Sequence, residues 1–151
     1  MSVYILFSTS WSAQNGGINA INYDLASALN ANAQEIFAIV SDATDSDISD
    51  AARLGVQLRV ASSDYSNLHN WLPALLEDLR PSLNGECLWI GHDTITGGAA
   101  LLARNIVGGK FVLFHHMDYA NYYHLTKKNG EEKISSKKSL LKQSDVVFVV
   151  V

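Results

Sequence analysis

Short apolar runs alternate with longer amphipathic stretches along the chain. Val3 to Phe7 is apolar at every position and rich in strand-forming residues. A strand buried on both faces needs that pattern, whereas a half-exposed strand would alternate. Glu35 to Ser41, holding Ile36 to Val40, repeats it, as do Cys87 to Ile90 and Lys110 to Phe114. Val56 to Val60 predicts a shorter third strand, and Asp145 to Val151 a sixth. Between them the period changes. Ile18, Ile21, Leu25, Ala28 and Leu29 fall on one face of a helix that opens at Gly16-Gly17. Asp42 to Asp50 is polar and turn-like, with a short helix running to Leu54. Leu68, Leu72, Leu75, Leu76 and Leu79 form the stripe of another helix, which Pro81 stops. Ile95 to Val107 is a third strong helix, capped by Gly108-Gly109, and Glu131 to Gln143 a weaker one. Residues 117 to 130 read as a loop or broken helix.

Strand and helix alternating throughout predict an α/β fold: a Rossmann-like doubly wound parallel sheet of about six strands with helices on both faces. At 151 residues the chain has the length of one domain, and its 48% hydrophobic content excludes a disordered tail. The chain stops inside an apolar strand run, so residues 1–151 are expected to be one half of a larger protein whose partner domain is missing.

The formal net charge is −4, the wrong sign for a general nucleic-acid binder. That sum hides an asymmetry. Residues 1–52 carry six acids and no Lys or Arg, while residues 110–142 carry seven Lys and three acids. The single cysteine, Cys87, permits no internal disulfide. With neither a basic leader before the first apolar run nor an 18-residue apolar window, the expected location is cytoplasmic.

In an open parallel sheet, ligands bind beyond the C-terminal strand ends, where the strand order reverses. For the order 3-2-1-4-5-6 the loops after strands 1, 4 and 5 meet there. They hold Asn15-Gly16-Gly17, Gly91-His92-Asp93, and His115-His116-Met117-Asp118-Tyr119. Glycines before a helix let a ligand approach the backbone and aim free N–H groups at it, a setting suited to phosphate. A plain turn is the blander reading. Eight residues without glycine separate Phe7 from Gly16, so this is no dinucleotide fingerprint, and the Walker phosphate loop is absent. Asp42 stands where a ribose-binding acid would, but capping the next helix suits it better.

His92-Asp93 could act on substrate or simply cap a turn. His115 and His116 point to opposite faces if the strand reaches them, so one can face the cleft while the other packs away. Zinc is disfavoured without a His-Glu-x-x-His or a cysteine pair, and a serine hydrolase without a Gly-x-Ser-x-Gly elbow. Trp11, Trp71 and Trp89 read as core residues, and Asp45, Asp47 and Asp50 as a solvated turn. Lys127, Lys128, Lys133, Lys137, Lys138 and Lys142 form either a solvated helix face or a docking face for anionic lipid.

Taken in order, these stretches resemble the N-terminal domain of the GT-B glycosyltransferases, in particular the retaining group called family 4. The resemblance rests on Asn15-Gly16-Gly17 with the helix through Leu29, on Trp89-Ile90-Gly91-His92-Asp93, on Phe111-Val112-Leu113-Phe114-His115 and on Asp145 to Val149. It covers nearly the whole chain. It implies two Rossmann-like domains facing a cleft, a nucleotide-sugar donor held mostly by the absent C-terminal domain, and a sugar or lipid-linked sugar acceptor held mostly by this one. Gly16 and Gly17 would then meet the donor diphosphate. His115 matches the histidine that contacts the donor sugar, with His116 the competing candidate. Asn15, His92, Asp93 and Asp118 would line the substrate cleft. No metal and no other cofactor is expected, and the isolated fragment is expected to be inactive. Two other readings stay open: half of a non-hydrolysing nucleotide-sugar epimerase, and a stand-alone flavodoxin-like binding domain.

Overall fold

The computed structural model describes residues 1–31, 35–116 and 130–150, with side chains omitted over 130–134. Six strands build one sheet: β1 (Ser2–Phe7), β2 (Glu35–Val40), β3 (Val56–Val60), β4 (Glu86–His92), β5 (Lys110–His115) and β6 (Val146–Val149). All pairings are parallel, in the order β3-β2-β1-β4-β5-β6. The order reverses between β1 and β4, as a doubly wound sheet requires. Among the described residues five α-helices connect the strands: α1 (Gly17–Asn30), α2 (Asp45–Arg53), α3 (Leu68–Leu79), α4 (Ile95–Val107) and α5 (Gly130–Gln143).

The unbroken apolar strands bury side chains on both sheet faces. On one face Ile5, Phe7, Trp89, Phe111 and Leu113 pack against Trp71, Leu72 and Leu76 of α3, alanines of α4, and Leu140 of α5. On the other, Leu6, Ile36, Ala38, Ile90 and Val112 pack against Ala26 of α1 and Ala51 of α2. Each fully buried Leu or Ile contributes about 1.5–3 kcal/mol relative to exposure. Trp71 and Trp89 lie in this core as expected, and Trp11 is buried as well.

Two expectations are corrected, for α1 and for the acidic run after β2. The buried stripe of α1 is Asn19, Asn22 and Ala26, rotated from the Ile18–Ile21–Leu25 line. Two asparagines therefore occupy the face turned toward the sheet. The predicted sixth strand is present as β6 at the sheet edge, with Phe148 51% exposed. The acidic run after β2 is mostly helix. Thr44 caps α2 and exchanges hydrogen bonds with Asp47 in a capping box, and Asp50 accepts the Trp11 indole N–H at 3.0 Å. That last bond ties the loop after β1 to α2.

Candidate functional site

The C-terminal ends of β1, β4 and β5 lie side by side, so their loops share one rim of the sheet. The loop after β1 is built from short polar side chains. Ser10 Oγ accepts from Asn15 Nδ2 at 3.1 Å and Asn19 Nδ2 at 3.0 Å, while Ser8 Oγ donates to the Ser10 carbonyl. This network delivers the chain to Gly16, whose φ of +119° and ψ of 166° suit only glycine. Gly16 is the N-cap of α1 and offers no side chain to the first turn. A Cβ at Gly17 would meet nothing within 4 Å. The first-turn N–H groups of α1 are thus presented beside open space, with the positive end of the helix dipole behind them.

Gly91 serves a different purpose. A Cβ there would lie 2.5 Å from the Thr96 carbonyl oxygen and 2.6 Å from the Gly97 Cα, so β4 and the start of α4 touch backbone to backbone. That approach lets the His92 N–H donate to Thr96 Oγ1 at 2.8 Å and the Thr96 hydroxyl donate back to the His92 carbonyl. The His92 side chain is held on the α1 side of the sheet. Its Nε2 lies 2.6 Å from Asn22 Oδ1 and its Nδ1 lies 2.7 Å from His116 Nε2. The Phe114 ring flanks both histidines and stacks on Phe148. Burial, with a smaller contribution from His116, pushes the His92 pKa down to about 3. Burial, and His115 beside it, lower His116 too. Both rings are neutral near pH 7.

Asp93 ends β4 with φ 47°, the left-handed region that Asp tolerates better than most residues. Its N–H donates to the Phe114 carbonyl at 3.0 Å, and its carboxylate accepts the His116 N–H at 3.1 Å. The same carboxylate forms an ion pair with Lys137 of α5. Asp93 therefore joins the ends of β4 and β5 to α5 and sets the backbone of His116.

Of the residues singled out in the sequence, Asn15, Gly16, Gly17, His92, Asp93 and His116 gather on this rim. His92 and Asp93, expected to touch substrate, are 1% and 4% exposed, and their polar atoms hold Asn22, His116 and Lys137. His116 shares the α1 face with His92. His115 follows the parity of Phe111 and Leu113 toward the opposite face, where its Nδ1 is buried without a hydrogen-bond partner among the described residues. Asp118 lies outside the described residues, as do Lys127, Lys128 and the side chain of Lys133. Lys137 is removed from the lipid-docking face: it is 4% exposed and turned inward to Asp93, whereas Lys138 and Lys142 are exposed. Among the described residues no helix is long and apolar enough to cross a membrane.

Asn19 and Asn22 were not foreseen as site residues. Their signal was a pair of asparagines three apart at the start of a helix, beside its apolar stripe. Asparagine is a poor helix former and costs free energy to bury unless bonded, so such a pair marks polar groups to be met.

No curated protein matches the chain. A family model described as family 4 glycosyltransferase in conflict systems matches residues 5–150, from within β1 to just past β6. That span takes in the Gly16-Gly17 helix start, the His92-Asp93 strand end and His116, and on it the chain belongs to the family 4 glycosyltransferases of conflict systems.

Proposed function

We propose that residues 1–151 are the acceptor-side half of a two-domain GT-B glycosyltransferase. It moves a hexosyl unit from a nucleotide-sugar to a hydroxyl of a sugar or lipid-linked sugar acceptor, with retention. One observation carries the reading. The uncapped, unobstructed N-terminus of α1 and the His116 ring are joined through Asn22 and His92, so one rim offers a diphosphate site and a sugar contact together.

The chemistry follows from charge. Transfer breaks the bond between the anomeric carbon and a diphosphate oxygen, leaving negative charge on the diphosphate. The acceptor oxygen bonds to that carbon, and its proton passes to the departing phosphate. First-turn N–H groups fixed beyond Gly16 stabilise this developing charge without reorganisation. His116 supplies a hydrogen-bonding atom for a hydroxyl of the donor sugar, and Asn15 borders the same rim. The lysines that remain on the basic end, Lys138 and Lys142 among them, are available for an anionic acceptor surface.

The test uses the full-length protein, a panel of nucleotide-sugars and hydroxylated acceptors, with products resolved by mass and by anomeric coupling in proton NMR. Sugar on the acceptor in the donor's anomeric configuration supports the reading. A donor returned inverted at one ring carbon would make this an epimerase half instead. Ligand binding with no turnover of any donor would leave only a binding domain.

A further inference from the structure

The polar contacts behind His116 have a direction. Asn22 Nδ2 donates to the Phe7 carbonyl at 3.1 Å, and a carbonyl can only accept. That fixes the amide, so Asn22 Oδ1 is the atom facing His92 Nε2 at 2.6 Å, and His92 Nε2 must carry the proton. A neutral imidazole has one N–H, which leaves His92 Nδ1 a bare acceptor. Its partner at 2.7 Å, His116 Nε2, must then be the donor. His116 in turn keeps Nδ1 as a lone pair, and that atom has no hydrogen-bond partner among the described residues. Each proton along the row points back toward the Phe7 carbonyl.

We propose that Asn22 and His92 form a one-way relay that locks His116 in its Nε2–H tautomer, presenting Nδ1 to accept a hydrogen bond from a hydroxyl of the donor sugar. Asn22 is thereby a positioning residue, acting through His92 and not on the substrate. The tautomer follows from the hydrogen bonds between two neutral rings; its consequence for transfer rests on the reading of His116 as the sugar-facing side chain. The relay gives specificity as well as orientation. A hydroxyl that donates is favoured at this point, whereas a methyl or a hydrogen there leaves Nδ1 unpaired once water is excluded.

Nitrogen-15 long-range correlation spectra of the full-length protein read the tautomers directly. Both histidines should show a protonated Nε2 and a bare Nδ1. In Asn22→Asp the carboxylate favours a charged His92, whose new Nδ1–H donates to His116 Nε2. His116 is then driven to the opposite tautomer, with its outer nitrogen a donor. Asn22→Leu removes the fixed partner and should give mixed tautomers. Each variant should lose roughly tenfold or more in kcat, the cost of about one hydrogen bond to the sugar. A wild-type spectrum with mixed tautomers or a protonated Nδ1 on either ring overturns the relay, and needs no assay of transfer. Unchanged turnover in both Asn22 variants, with His116→Ala inactive, overturns the positioning role and leaves the sugar contact standing. Unchanged turnover in His116→Ala overturns the sugar contact and the positioning role with it. Asn22→Asp keeps side-chain volume, so the proposal remains testable if Asn22→Leu does not fold.

Discussion

Replacing Asp93 by Asn and Lys137 by Met, singly and together, probes how the end of β4 is held to α5. The two side chains form an ion pair, and both residues are 4% exposed. Asn isolates the charge. It tolerates the left-handed backbone at φ 47°, and its amide oxygen can still accept the His116 N–H. Asp93→Asn therefore takes away the negative charge that faces the buried Lys137 ammonium, and Lys137→Met takes away the positive charge that faces the Asp93 carboxylate. Removing one partner of a buried pair costs about 3–5 kcal/mol, whereas replacing both with neutral groups is often close to neutral. Each single variant should therefore lower Tm by roughly 6–20 °C, at about 2–4 °C per kcal/mol for a chain of this size. The double variant should recover most of that loss. Equilibrium urea unfolding followed by fluorescence of the buried tryptophans measures all four proteins. Costs that simply add, to within about 0.5 kcal/mol, would show that the pair does not couple β4 to α5.

Three further outcomes follow from the rim. His92, with its pKa pushed down to about 3 by burial and then by His116, stays neutral in the folded chain, while an unfolded histidine gains a proton below about 6.5. The unfolded state thus binds the extra proton between those values, so His92 adds stability above pH 6.5 that is lost as pH falls toward 3. The slope from this residue is at most about 1.4 kcal/mol per pH unit, and His92→Gln should remove it when urea midpoints at pH 7 and pH 5 are compared. At the helix start, Gly17→Val should fold normally, because a Cβ there meets nothing, yet lose nucleoside diphosphate binding in calorimetry. Gly16→Ala should cost about 1–3 kcal/mol in urea unfolding, because φ of +119° strains any side chain. Normal nucleotide affinity in Gly17→Val would remove the diphosphate from α1.

Most of the sheet was legible because consecutive apolar residues leave few alternatives for a chain of alternating elements. Strand order, and with it the meeting of the loops after β1, β4 and β5, followed from the rules of doubly wound sheets. The rest depended on contacts that no pattern encodes. Ile18 and Ile21 marked the apolar side of α1, yet the helix turns Asn22 inward because the Phe7 carbonyl and His92 need a partner. Lys137 looked like one of a row of solvated lysines, yet it is buried and turned to the Asp93 carboxylate, a contact between residues far apart in the sequence. Between His115 and His116 the choice rested on where β5 stops alternating. Phe114 and Phe148 stack on the α1 side, and His116 continues that column of rings.

The central claim is that the Asn22–His92–His116 side of the rim faces the sugar. Its most direct test is the transfer rate of the full-length enzyme carrying His116→Ala, measured beside His115→Ala with the same donor and acceptor. The account predicts a large loss of kcat, roughly a hundredfold or more if His116 aids the reacting centre, for His116→Ala and a near-normal rate for His115→Ala. A normal rate in His116→Ala with a collapsed rate in His115→Ala would place the sugar on the other face and contradict it.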